Sequence, residues 1–101
     1  MAEVQVKFDA PANVGGQLLE NAKPAAANVE DITSSGASQA TTAESPNEYA
    51  YVAITSSGGA VWAKIAAVPV AAAGDQHLIA DGQTRFFGGL AAGDKVAVID
   101  V

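Results

Sequence analysis

Acid–base chemistry near neutral pH would have to run through His77, the single histidine of the chain, because only imidazole has an ordinary pKa in that range. His77 sits in QHLIA, a strand pattern, two residues after Asp75, and the alternation of side chains along a strand puts both on one face. A hydrolytic triad also needs an activated serine, and no G-x-S-x-G elbow is present to supply one. The expectation is a structural histidine. The carboxylate pairs Glu30-Asp31 and Asp75/Asp81 have neither the spacing of a glycosidase pair nor that of a calcium loop, so they are expected on the solvated surface. With no cysteine in the chain, a thiolate metal site is excluded and a structural zinc is not expected. No catalytic residue, cofactor or metal site is assigned, and the expectation is a protein that is not an enzyme.

A second candidate is FFGGLAAGDKVAVID, Phe86 to Asp100. Gly88 and Gly93 have the separation found in the phosphate-binding pattern G-x-x-x-x-G-K-[ST], but Asp94 stands where the lysine belongs and Val96 follows Lys95 where a hydroxyl is needed. A carboxylate there would repel a phosphate, and the loop leads into KVAVIDV, a strand pattern, where the phosphate loop leads into a helix. The stretch is expected to turn a corner, with glycines supplying unusual backbone angles. The third candidate is aromatic. Tyr49, Tyr51 and Trp62 fall on strand patterns close in sequence and would share a face in a carbohydrate platform or a protein contact, or contribute to the core.

The elements that must position these residues are set by a thin supply of core material. Half of the 101 residues are hydrophobic, but 23 of those 50 are alanine, which contributes little transfer free energy. One domain is expected, with association as the available supplement to its core, since disulfides are excluded. The net charge of −6, with Lys7, Lys23, Lys64, Arg85 and Lys95 scattered, argues against direct contact with nucleic acid or anionic membranes. The start, MAEVQVKF, lacks a secretory pattern, and the most apolar window, IAAVPVAAAG, is short and broken by Pro69. A soluble chain made in a cytoplasm is expected.

The two halves differ. Residues 1–50 carry seven acids and two bases, residues 51–101 four acids and three bases. Val, Ile, Leu, Phe and Trp number 8 in the first half and 16 in the second. Residues 1–27 alternate only in VQVKF before turning to Pro, Gly, Asn and Ala, and predict an extended N-terminal arm that offers Val4, Val6 and Phe8 to a neighbour. LLENAKPAAANVE has no apolar stripe of helical period and is interrupted by Pro24. SSGASQATTAESPNE, Ser34 to Glu48, predicts an exposed strand or loop whose hydroxyls bond to backbone, or a flexible linker. From there YAYVAIT and AVWAKIA predict a hairpin through Ser56–Gly59, with Val61, Ala63 and Ile65 on one face and Trp62 and Lys64 on the other. QHLIA and TRFF predict a second hairpin through Asp81-Gly82. KVAVIDV predicts a strand buried on both faces. The fold class is all-β: a small antiparallel β-sandwich or barrel over residues 28–101, with the arm at 1–27.

From Val29 onward the chain resembles small structural proteins encoded in tailed-phage genomes, through SSGASQATT, VPVA (Val68 to Ala71), HLIADGQTRFF and LAAGDKVAVID. The resemblance implies a virion component, foremost a capsid decoration or cement protein that stabilises the head by bridging major capsid subunits. Alternatives are a head-tail joining or tail structural protein and, from the aromatics, a carbohydrate-binding β module. The implied partners are the major capsid protein or other virion subunits and further copies of the chain, as in a trimer at local threefold sites. Tyr49, Tyr51 and Trp62 join Val4, Val6 and Phe8 as candidate contact residues.

Overall fold

Alternation along each strand decides which side is buried, and two apolar faces so made close on each other. The structure, a computed structural model, describes residues 1–10, 12–14, 17–19, 25–48 and 50–101, the stretches at 12–14 and 17–19 by backbone alone. The strands are β1 (Glu3–Asp9), β2 (Ala12–Val14), β3 (Gln17–Leu19), β4 (Val29–Thr33), β5 (Gln39–Ala40), β6 (Tyr51–Ser57), β7 (Val61–Ala66), β8 (His77–Ile79), β9 (Thr84–Phe87) and β10 (Lys95–Asp100). A single turn of 3-10 helix, Ala26–Asn28, precedes β4. One sheet has the order β4-β1-β6-β9, the other β5-β10-β7-β8, and all pairs are antiparallel. The fold is nearly all β, two antiparallel sheets packed as in a small β-sandwich.

The core lies between the sheets. Val4, Val6 and Phe8 from β1 and Val52 and Ile54 from β6 face Val61, Ala63, Val96 and Val98 from β7 and β10, all fully buried. Within the second sheet Ala63 of β7 pairs with Val98 of β10, and both face the core. In β7 the expected division holds for Val61 and Ala63, which are buried; Ile65 packs partly buried against the core, and Trp62 and Lys64 are half-buried. In β10 the expectation of burial on both faces holds for Val96, Ala97 and Val98.

The expected arm is corrected by this arrangement. β1 is an interior strand of the first sheet, paired with β6 from Glu3↔Ser57 to Asp9↔Tyr51 and with β4 from Glu3↔Thr33 to Lys7↔Val29. Val4, Val6 and Phe8 have no exposed surface left to offer a neighbour. The alternation in VQVKF marks a strand correctly, but its partners lie in this same chain. The β2 and β3 strands form a separate two-stranded ribbon, Ala12↔Leu19 to Val14↔Gln17, between β1 and β4.

Both expected hairpins are also corrected. β6 belongs to the first sheet and β7 to the second, so residues 58–60 arch from sheet to sheet. β8 and β9 are divided in the same way by residues 80–83. The physical reason is that β6 already has β1 and β9 on its two sides, and an arch turns the apolar faces of β6 and β7 toward each other across the core. The turn chemistry is as expected, with Gly82 at φ +77° and a Gln83 N–H to Ala80 carbonyl bond of 3.0 Å. The two arches lock together. Gly58 N–H donates to Asp81 Oδ1 at 2.9 Å, and Gly82 N–H to the Ser56 carbonyl at 2.8 Å.

Each lateral opening of the sandwich has its own closure. On the β4/β5 side a single oxygen of Glu30, Oε1, accepts from Thr42 N–H, Thr42 Oγ1 and Ala43 N–H, each at 2.9 Å. Glu30, expected on the solvated surface, is half-buried there and also fastens the loop between β5 and β6. Glu30→Ala is expected to lower stability by about 1–3 kcal/mol, the usual cost of removing an acceptor of this kind, as read from the urea midpoint. The β8/β9 side is closed by Phe87, His77 and Arg85.

Candidate functional site

The residues with chemical potential are placed by structural needs. His77 lies on the inner face of β8, opposite Ala63, and its ring stacks on Phe87 of the other sheet with centroids 4.1 Å apart and a 33° tilt. The Arg85 guanidinium carbon sits 5.0 Å from the same Phe87 centroid, while Arg85 Nη1 donates to the Leu78 carbonyl at 3.1 Å. Asp75 is not a partner for this imidazole: its carboxylate accepts from Ala72 N–H at 3.1 Å and Gln76 N–H at 2.9 Å. Asp94 accepts from Ala91 N–H at 2.9 Å, and Gly93 takes φ +86°, so the stretch before β10 is the corner expected. Asp75 and Asp94 hold their own turns by local side-chain-to-backbone bonding, whereas Asp81 reaches across to Gly58 N–H of the other arch.

At one end of the sandwich a polar knot ties distant segments. Ala2 N–H donates to Ser34 Oγ at 2.7 Å, the Ser34 hydroxyl donates to Asp100 Oδ1, and the terminal ammonium of Met1 lies 3.3 Å from Asp100 Oδ2. Nearby in the sequence, Thr41 accepts from Val96 N–H at 3.2 Å and donates to the Ala43 carbonyl at 2.8 Å. The hydroxyls of Ser34–Glu48 therefore bond to backbone as expected, but Ser34, Thr41 and Ser45 are buried. The segment crosses between the sheets and contributes β5, so it is not a linker.

These contacts contribute to the response to acid. Burial, and then the charge of Arg85, hold the His77 imidazole below its ordinary 6.5. The Ser34 hydroxyl bond, and after it the Met1 ammonium, outweigh burial and hold the Asp100 carboxyl below its ordinary 3.8. In both cases the unfolded chain binds the proton more readily, so stability is full above the unfolded pKa and declines as pH falls through it. Urea midpoints measured against pH are expected to drop first below about pH 6.5 and again below about pH 4. His77→Gln is expected to remove the upper step and leave the lower one.

The aromatic platform is not assembled: Tyr51 opens β6 on the first sheet, Trp62 is on β7 of the second, and Tyr49 lies outside the described residues. Tyr51 instead neighbours Phe86 on the outer face of the first sheet, with ring centroids 6.3 Å apart. Trp62 lies in a row across the outer face of the second sheet, between Ile99 and Leu78.

A strap crosses that second face. After β7 the chain runs from residue 67 to 74 toward the β5 edge, where Ala71 N–H donates to Ser38 Oγ at 2.9 Å, and then returns to β8 on the opposite edge. Pro69 and Ala71 are buried, while Val68 and Val70 are 87% and 66% exposed. Beneath it Ala97, which points outward from the middle of β10, has no exposed surface.

No protein-family model, no curated protein and no solved structure matches the chain. Among the described residues no group of three or more His, Asp or Glu side chains is placed to hold a metal ion, and no helix is long and apolar enough to cross a membrane.

Proposed function

We propose that this chain is a non-enzymatic structural protein of a tailed-phage virion, a capsid decoration or cement protein that stabilises the head by bridging major capsid subunits. The observation that carries the reading is the outer side of the second sheet and its strap, where Val68, Val70 and Leu78 remain exposed and Trp62, beside Leu78, is half-buried. Apolar side chains grouped on one face favour burial against another protein. A cement protein acts by adding such interface across the joints of a shell. The sequence resemblance from Val29 onward supplies the setting, and the net charge of −6 suits a position away from packaged nucleic acid.

The test is the location and copy number of the chain in purified particles, by electron microscopy with a labelled chain and by quantitative mass spectrometry. Several copies per capsid hexamer on the head surface are the expected result. A single ring at the head-tail joint, or confinement to the tail, would replace decoration by one of the neighbouring structural roles. Absence from particles would remove the virion reading altogether.

A further inference from the structure

Among the described residues six large hydrophobic side chains are exposed, and two of them, Met1 and Val101, are at the chain ends. The other four divide between opposite faces of the sandwich. Val68, Val70 and Leu78 lie on the outer side of the second sheet, and Phe86, 60% exposed, lies with Tyr51 on the outer side of the first. The charges divide as well. Lys64 and Lys95 project from the outer face of the second sheet, in register with Ala97 and Ala66. The strands of that sheet carry no carboxylate on that face, since Asp100 turns the other way to meet Ser34. The outer face of the first sheet bears Glu3 and Asp31 as well as Lys7. In a chain of net charge −6 the strands of the second sheet thus present only positive charge on that face.

From this complementarity we infer that the outer face of the second sheet, with its strap, binds the outer face of the first sheet of another copy of the same chain. Lys64 and Lys95 then approach Glu3 and Asp31, and the valines of the strap cover Phe86. A contact between two different faces is heterologous: it closes into a ring if the rotation allows and continues as a filament if it does not. A back-to-back pair of second sheets would bring four lysines together with no carboxylate from the strands to offset them, and the charges favour the front-to-back arrangement. The inference rests on the reading of the chain as an assembly protein and adds the surfaces by which its copies meet.

Sedimentation velocity and native mass spectrometry of the full chain over a wide concentration range test it. Growth beyond a dimer, or a closed ring, is expected. Val68→Asp and Val70→Asp change exposed side chains and should leave the circular dichroism spectrum intact while weakening association at least about tenfold. Lys64→Glu should also weaken it, and combining Lys64→Glu with Asp31→Lys in one chain should recover it. A chain that stays monomeric throughout, an oligomer indifferent to both valine variants, or failure of the paired exchange to recover association would overturn the contact. So would a dimer that stops growing and is strengthened by Lys64→Glu. Adding the same variants to purified heads separates the two proposals. Self-association without head binding removes the cement reading alone; head binding without self-association removes this contact alone.

Discussion

A chain lacking residues 1–27 is expected not to fold. The deletion removes β1, the strand that joins β4 to β6 in the first sheet, and with it the ladders on both its sides. It also removes Val4, Val6 and Phe8 from the core, all fully buried. At roughly 1.5–3 kcal/mol for each buried side chain the three contribute about 5–9 kcal/mol, as much as the whole net stability of many small domains. The Ala2 bond to Ser34 is lost as well. Circular dichroism and thermal unfolding should show a disordered chain without a cooperative transition. If residues 1–27 were an arm, the remainder would unfold cooperatively at an unchanged temperature, and that result would contradict the topology described here.

The second large effect contrasts two phenylalanines. Phe8→Ala should cost about 3–5 kcal/mol, because the ring is fully enclosed between the sheets and small neighbouring side chains cannot close the space it leaves. Phe86→Ala should change stability by no more than about 0.5 kcal/mol, the usual range for a surface position, since its ring is 60% exposed. Its effect should appear in self-association, where it faces the strap of the next copy. Urea unfolding of the two variants side by side decides the matter, and equal losses would contradict the assignment of inner and outer faces to β1 and β9.

Individual strands were legible in the sequence because alternation is local. VQVKF, YAYVAIT, AVWAKIA, TRFF and KVAVIDV all lie within or overlap strands of the fold. The pairing of those strands was not legible, because it depends on partners far apart in the chain: Val6 meets Glu30 on one side and Ile54 on the other. An arch and a hairpin are built from the same turn residues, so Ser56–Gly59 and Asp81-Gly82 announce a reversal without saying whether the chain returns to its own sheet. The turn-holding role of Asp81 at Gly58 and of Glu30 at Thr42 and Ala43 has the same character, each acting on a loop at least 12 residues away. The structural reading of His77 needed only the missing nucleophile pattern, but its stacking on Phe87 required the fold. Tyr51 and Trp62 were close in sequence, and the arch between them sent them to different sheets.

Hydrogen exchange followed by mass spectrometry, at concentrations below and above self-association, tests most directly the claim that this molecule works through its two outer faces. Added protection is expected in residues 62–78 and in 29–33 and 84–87 together, with little change at the knot formed by Ala2, Ser34 and Asp100. Protection confined to one of the two faces, or gained only away from both, would contradict the claim.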